Sequence, residues 1–550
     1  MNKQTIGVAL LACALVLAIG PAPGSAQLSL EELVIRAFDI AVEVTPVPLK
    51  YEYQGGDIQF TSHGTLRGTT VAQLEVTATS PVTTARFDFD SDVNLTSVAA
   101  PGYQVASSRL RDTLTLTFTP ALPPGGKVPL TFAYEGGPDY IYNEFVKVGP
   151  GSLYPLLISP FGDLSANLGR VVLKITTPGG YNIAGTGKLI SRNGDTSTWD
   201  SEVLVPWVAL AGGQKHTVRN RTIAGVQMEF YVPPGEDRNL DKLADFAGRS
   251  VDYYSKLLYP FPYSQLRTVS LLIVGGGIGY PAFLLIDDRA FRNTYTGDLN
   301  RDSHLFQLIA HEILHSYVPS QTVPKGNGFI WLSEGFAEYL SLMALEAVMG
   351  PEAFKRELQE ERNLYASVVA TTTEPPLGAI TFTNYHGAAR RSIYAKGSLV
   401  LHMLRGVVGD EVFRKGLAAY FAAYRGKAAR VSDFQEIMEQ ASGQPLDWFF
   451  REWIQERVLP DYTIANATSS PNADGTFQTT VTVRNRGTGS MSVEIGFRTD
   501  DGVQIEKVVI PSRGEGTVTA ATPKLVTHVE IDPHKWLIKK DDKNDVVPVK

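Results

Sequence analysis

The sequence predicts a multidomain α+β protein, strand-rich at both ends and helical in the middle. Its 550 residues exceed what one core holds; at roughly 150 residues per domain, three or four units are expected. Hydrophobic residues make up 43% and charged residues 19%, a balance that suits folded chains rather than disordered ones. The apolar pattern also changes rhythm along the chain, from period two to a helical period and back.

Residues 1–26 read as a secretory signal peptide. Lys3 is their one charge, an apolar run fills 6–19, Pro21 and Pro23 break it, and Gly24-Ser-Ala26 offers a small-residue cleavage site. The run is too short for a full membrane span, which needs about 20 apolar residues. Leu10-Leu-Ala-Cys13 loosely resembles a lipoprotein box, but the apolar run continues past Cys13, so a lipid anchor is the weaker alternative. Export to the periplasm or the extracellular space is expected, with no transmembrane segment.

Residues 27–218 are rich in Thr, Val, Gly and Pro. Alternating runs such as 114–118 and 171–175 lie between turn signals such as Pro123-Pro-Gly-Gly126, which predicts antiparallel strands. In 219–456 apolar residues recur at helical spacing over 240–257, 304–317, 332–349, 394–405, 411–424 and 431–440. One β stretch, 269–286, interrupts that region. Strands return in 457–540, at 478–484 and 491–495, and the charged tail 541–550 is expected to be loose. No internal repeat or low-complexity segment is present.

Charge and cysteine content exclude several classes. Lys and Arg number 50 against 57 Asp and Glu, and no basic run carries interleaved aromatics, so a nucleic-acid partner is not expected. The single cysteine rules out a disulfide framework and a cysteine-ligated metal cluster. No G-x-S-x-G elbow or P-loop occurs. Asn94, Asn220 and Asn466 sit in glycosylation-type triplets, whose number is close to chance.

One constellation carries chemistry, His311-Glu-Ile-Leu-His315. On a helix the two imidazoles lie one turn apart, about 40° around the axis, so both can hold one metal ion. Glu312 borders that face and can reach a metal-bound water without being a ligand. A third ligand is still needed. The helix must stop near Pro319, Pro324, Gly326 and Gly328 turn the chain, and the next helix carries Glu334. Two neutral histidines and one carboxylate would leave an open position for water, the arrangement of catalytic zinc. His304 lies about 10 Å back along the axis and reads as a packing or surface residue, as do His386 and His402.

His311-Glu-x-x-His315, eighteen intervening residues, and Glu334 inside Trp331-Leu-Ser-Glu-Gly-Phe-Ala-Glu-Tyr339 resemble the membrane alanyl aminopeptidase and leukotriene hydrolase family of gluzincins. Tyr394-Ala-Lys-Gly397 resembles that family's segment bearing the catalytic tyrosine. The resemblance implies an N-terminal β saddle, a thermolysin-like catalytic domain and a C-terminal β-sandwich, without the large helical domain of longer members. It implies His311, His315 and Glu334 as ligands of one Zn2+, Glu312 as general base, Tyr394 as transition-state donor, and a peptide or protein as substrate.

Two departures stand out. The family's substrate strand carries a Gly-x-Met-Glu-Asn-like motif whose Glu grips the free amino terminus. Here the stretch is Gly275-Gly-Gly-Ile-Gly-Tyr-Pro281, with Gly279 where that Glu would be. Asp287 and Asp288 follow eight and nine residues later, about 26 Å away along an extended strand, too far to compensate. Gly276, Gly277, Ile278, Gly279 and Tyr280 suit backbone pairing with an extended peptide; the competing reading is an ordinary turn. Secondly, Ser341 stands where the family usually has an acid. Glu338, four residues after Glu334, either orients a ligand histidine or is a solvated surface residue.

The leading expectation is thus a secreted zinc metallopeptidase that cleaves peptide bonds with a zinc-activated water. A second reading keeps the metal but changes the substrate, to endopeptidase or non-peptide hydrolysis. A third is an extracellular binding or scaffold protein with a vestigial site.

Overall fold

The computed structural model describes residues 33–54, 57–138, 140–271, 276–292, 302–540 and 545–549. The signal-peptide reading, Cys13 and Gly275 lie outside these residues. Among them, no helix is long and apolar enough to cross a membrane.

The chain has a β-rich N-terminal region, a helical middle and C-terminal sheets, as its rhythm predicts. The first region is organised by strand Leu33–Thr45. It pairs antiparallel with Thr65–Val76 and parallel with Arg170–Thr176 inside a seven-stranded sheet. Burial alternates along Leu33–Thr45, so one pleat face enters the core while the other meets solvent. Arg267, from the middle region, stacks over Trp199 of this sheet with its guanidinium 4.5 Å from the ring centroid. Its Nε donates to Glu229 at 2.6 Å. This buried cation fastens the first two regions together at a fixed point.

A five-stranded mixed sheet opens the middle region. Its last two strands, Phe283–Asp287 and Gly277–Tyr280, form an antiparallel hairpin with Gly277–Tyr280 at the edge. The β stretch expected over 269–286 is present, but the straight run assumed from Gly279 to Asp287 is corrected. Ala282 adopts φ 50, and the chain doubles back. Asp287 consequently lies beside Gly276, its N–H donating to the Gly276 carbonyl at 3.1 Å, and so stands much nearer to Gly279 than the ~26 Å of a straight strand.

Seven helices of at least 12 residues follow among the described residues: α1 (Leu240–Leu257), α2 (Asp302–Leu314), α3 (Phe336–Met349), α4 (Pro351–Thr371), α5 (Gly387–Val408), α6 (Asp410–Ala423) and α7 (Val431–Ser442). Helix α4 is absent from the periodicity reading. Helix α2 is pinned on two sides by polar contacts. Tyr254 of α1 donates its hydroxyl to the Ala310 carbonyl at 3.0 Å, and Ser303 donates to Glu357 of α4 at 2.7 Å. His304 pairs with the same Glu357, a structural role as expected. His402 is buried in α5, bonded to the Tyr339 hydroxyl at 3.0 Å and stacked on Trp536.

A π-helical turn, Trp331–Gly335, leads into α3. It crosses α5 where both chains carry glycine. A Cβ on Gly397 would sit 3.1 Å from the Trp331 ring and 3.3 Å from the Gly335 Cα. The Trp331 indole donates to the Gly397 carbonyl at 3.1 Å. Two missing side chains therefore set the spacing between the turn that holds Glu334 and the helix that holds Tyr394.

The C-terminal region has a three-stranded and a four-stranded sheet. Part of the tail expected to be loose is ordered: Val546–Pro548 pairs with His528–Ile531, and Asp545 is buried against Lys535 and Lys539. Ion pairing and an available sheet edge capture a segment whose charge alone suggested solvation.

Gly397→Ala is expected to destabilise the protein by about 1–3 kcal/mol, since a methyl inserted into a packed crossing must displace its neighbours. The check is the urea midpoint at constant m-value. An unchanged midpoint would show that the crossing has slack.

Candidate metal centre

His311 sits in the last turn of α2, and His315 lies just past its end, on the turn that follows. Glu334 comes from the π-helical turn. One donor atom from each lies within 4.8 Å of the other two. His311 Nε2 is 3.5 Å from one Glu334 oxygen and His315 Nε2 is 3.8 Å from the other. The imidazoles stand nearly perpendicular, at 81° with centroids 5.0 Å apart.

The outer nitrogen of each ring is already engaged. His311 Nδ1 lies 2.9 Å from Glu338, which also accepts from Gln307 Nε2 at 2.6 Å. His315 Nδ1 lies 2.9 Å from the Val318 carbonyl. An Nδ1–H held by an acceptor leaves Nε2 with its lone pair directed inward. Two nitrogens and a carboxylate oxygen converging this way suit a divalent ion such as zinc. Glu338 therefore faces the interior rather than solvent. Behind it lies Glu361, whose carboxyl burial and the neighbouring Glu338 push strongly towards the protonated form.

Electrostatics concentrate here. Burial disfavours charge on His311, yet its bonds to Glu334 and Glu338 outweigh this and hold its pKa well above the ordinary value. Burial lowers that of His315. Burial also acts to raise Glu334, but His315, His311 and a hydrogen bond from Tyr394 bring it down to about 2. Glu312 goes the other way. Desolvation raises it to about 8, opposed by His311 and a Gly279 amide hydrogen bond, and reinforced by Glu334 and Glu338. A dication at the centre would favour the ionised form of Glu312 again.

Tyr394, on α5, stacks beside His311 with centroids 5.8 Å apart. Its hydroxyl accepts from Tyr385 at 2.8 Å. The edge strand Gly277–Tyr280 lies flat against α2. A Cβ on Gly277 would fall 2.6 Å from Glu312 Cγ, and one on Gly279 would fall 2.5 Å from the Glu312 carbonyl and 2.7 Å from His315 Cβ. Glycine at these positions is thus a packing requirement, and the stretch is a strand, not a turn. A glutamate cannot be inserted at 279 without shifting the strand, although φ there is ordinary. Gly276 meets nothing within 4 Å, Ile278 is half-buried, and Tyr280 packs edge-on against Trp207 at 5.7 Å.

Asp287 and Asp288 are nearer in the fold than straight-strand geometry suggests, but each is bound elsewhere, to Arg289 and Arg292. An apolar pocket opens beside Glu334, walled by Trp207, Pro319, Phe329, Phe382 and Tyr385. Gln307, Trp207 and Tyr385 were not singled out in the sequence. They come from separate segments, and no motif or period links them to the His pair.

Comparison with known proteins agrees with the geometry. The peptidase family M1 domain matches residues 254–453. Aminopeptidase M1-B of Oryza sativa subsp. japonica is 25% identical over 46% of this chain and 30% of its own length. Aminopeptidase N of Lactococcus lactis subsp. lactis is 26% identical over 47% of this chain and 31% of its length. The puromycin-sensitive aminopeptidase of Caenorhabditis elegans is 27% identical over 46% and 27%. The matched part of the chain spans less than a third of each of these relatives. The match to the peptidase family M1 domain thus falls on the segment that holds the His pair, Glu334, Glu338 and Tyr394.

Proposed function

We propose that this protein is an exported, zinc-dependent peptidase that hydrolyses peptide bonds at the His311–His315–Glu334 centre, with a thermolysin-like arrangement of the middle region. The convergence of these three donors within 4.8 Å of one another, beside a buried Glu312, carries the reading. Zinc held by them would supply Lewis acidity at the scissile carbonyl and acidify the attacking water. Glu312, fixed by the Gly279 amide, takes the proton from that water and delivers it to the leaving amine. Tyr394 points its hydroxyl at Glu334, next to where the carbonyl oxygen becomes negative, and donates to it there. The edge strand offers backbone groups to an extended peptide.

The relatives' names point to amino-terminal cleavage. One observation favours a broader substrate range: Gly279 brings no carboxylate, and its Cβ position is filled by α2. An α-ammonium group in a water-poor cleft needs an acceptor. Glu312, Glu334 and Glu338 are already assigned to the base, the metal and His311. The second reading is therefore hydrolysis that does not require a free amino terminus, as in an endopeptidase.

Glu312→Gln is expected to abolish turnover while one zinc per chain remains, whereas His315→Ala and Glu334→Ala lose the metal. Metal analysis alongside cleavage of a quenched peptide library measures both. Near-normal kcat in the Gln variant would remove Glu312 from its role. Chelation should silence the wild type, and added zinc should restore it.

Tyr394→Phe is expected to lower kcat on the order of 100- to 1000-fold with little change in KM. An unchanged kcat would make the tyrosine a packing residue. On matched free and acetylated peptides, wild-type kcat/KM values are expected to lie within about tenfold of each other. A preference for the free amine of about 100-fold, roughly 2.7 kcal/mol, would overturn the second reading and establish an aminopeptidase.

A further inference from the structure

Tyr385 stands on the short loop before α5, nine residues ahead of Tyr394, and the sequence gives it no motif. In the fold its hydroxyl donates to the Tyr394 hydroxyl at 2.8 Å, and the Tyr394 ring stacks on His311 with centroids 5.8 Å apart, close enough to Glu334 for its hydroxyl to help hold that carboxyl ionised. Arg390, one turn before Tyr394, lies over both rings, with its guanidinium 5.6 Å from the Tyr394 centroid and 6.0 Å from that of Tyr385.

A phenol has one hydrogen and a hydroxyl that rotates freely about its C–O bond. Left alone, the Tyr394 hydrogen could point along several directions. With Tyr385 donating to its oxygen, the direction towards Tyr385 is closed, and the Tyr394 hydrogen is aimed at Glu334. Arg390 carries donors only, so it cannot accept the Tyr385 hydrogen. Hydrogen bonds running head to tail also polarise one another, which makes the last donor in the row stronger.

The loop is built to hold its shape. The Asn384 side chain accepts from the Thr381 N–H at 2.8 Å and donates to the Ala379 carbonyl at 3.1 Å, and the Thr381 and Thr383 hydroxyls meet at 2.8 Å. Gly387 turns the chain into α5 at φ +53, a conformation glycine adopts without strain. The Tyr385 ring also forms part of the apolar pocket beside Glu334.

We propose that Tyr385 is a positioning residue: it aims the Tyr394 hydroxyl at the metal centre, and its ring closes the neighbouring apolar pocket. Resting on the peptidase reading above, it assigns two separable duties to one side chain, the hydroxyl for rate and the ring for substrate binding.

The test uses Tyr385→Phe, Tyr385→Leu, Tyr394→Phe and the Tyr385→Phe/Tyr394→Phe pair in the full chain. Tyr385→Phe should lower kcat about tenfold and leave KM within about twofold. Tyr385→Leu should show the same fall in kcat together with a higher KM for peptides with large apolar side chains. In the Tyr394→Phe background Tyr385→Phe should change nothing, because its only route to the reaction is gone. An unchanged kcat in Tyr385→Phe, or effects that multiply in the double variant, would overturn the proposal.

A second readout needs no turnover. In a crystal structure of the metal-free Tyr385→Phe protein, the Tyr394 hydroxyl is expected to leave Glu334 or to occupy more than one position. An unmoved hydroxyl would overturn the proposal even if the protein cleaves peptides. A wild type without peptidase activity would overturn the function and leave this structural arm to decide the positioning role.

Discussion

Everything at this centre follows from burying two imidazoles and a carboxylate with their donor atoms within 4.8 Å of one another. Such groups are costly to desolvate unless each is paired. The fold answers with partners for every outward-facing atom: Glu338 and Gln307 behind His311, and the Val318 carbonyl behind His315. The inner atoms are left facing one another, an arrangement that a cation relieves. The helices are placed to meet this demand. Helix α2 is tied to α1 and α4, and the turn bearing Glu334 is set by the glycine crossing with α5.

The clustering of His311, His315 and Glu334 was legible because its signal is local. His311, Glu312 and His315 lie within one helical turn, and the Pro- and Gly-rich connection to Glu334 leaves few ways for the chain to return. Helix α4 was not legible, because its inward face is only partly apolar. Glu357 is buried there between Ser303 and His304, and Glu361 beside Glu338. A periodicity argument counts such residues as surface. The hairpin at Ala282 was hidden for a similar reason. A non-glycine residue with positive φ carries no turn signature, so the stretch looked straight and the distance to Asp287 was overestimated. Tyr385 was beyond reach from sequence, since its meaning depends wholly on Tyr394.

The same polar logic distinguishes the two faces of the cleft. On the α2 side the outer nitrogens of both imidazoles are held by fixed partners, which preorganises the polar wall. On the pocket side the wall is aromatic and proline-rich, which excludes water and strengthens those interactions. Tyr385 belongs to both faces, with its ring in the pocket and its hydroxyl in the polar row.

The glycine strand shows how one omission alters the rest. A carboxylate at position 279 would need room between the strand and α2, and that room is gone: the strand has closed until a Cβ would touch the Glu312 carbonyl. Closure brings the Gly279 amide onto the Glu312 side chain, a hydrogen bond that favours the ionised base against the desolvation that otherwise raises it.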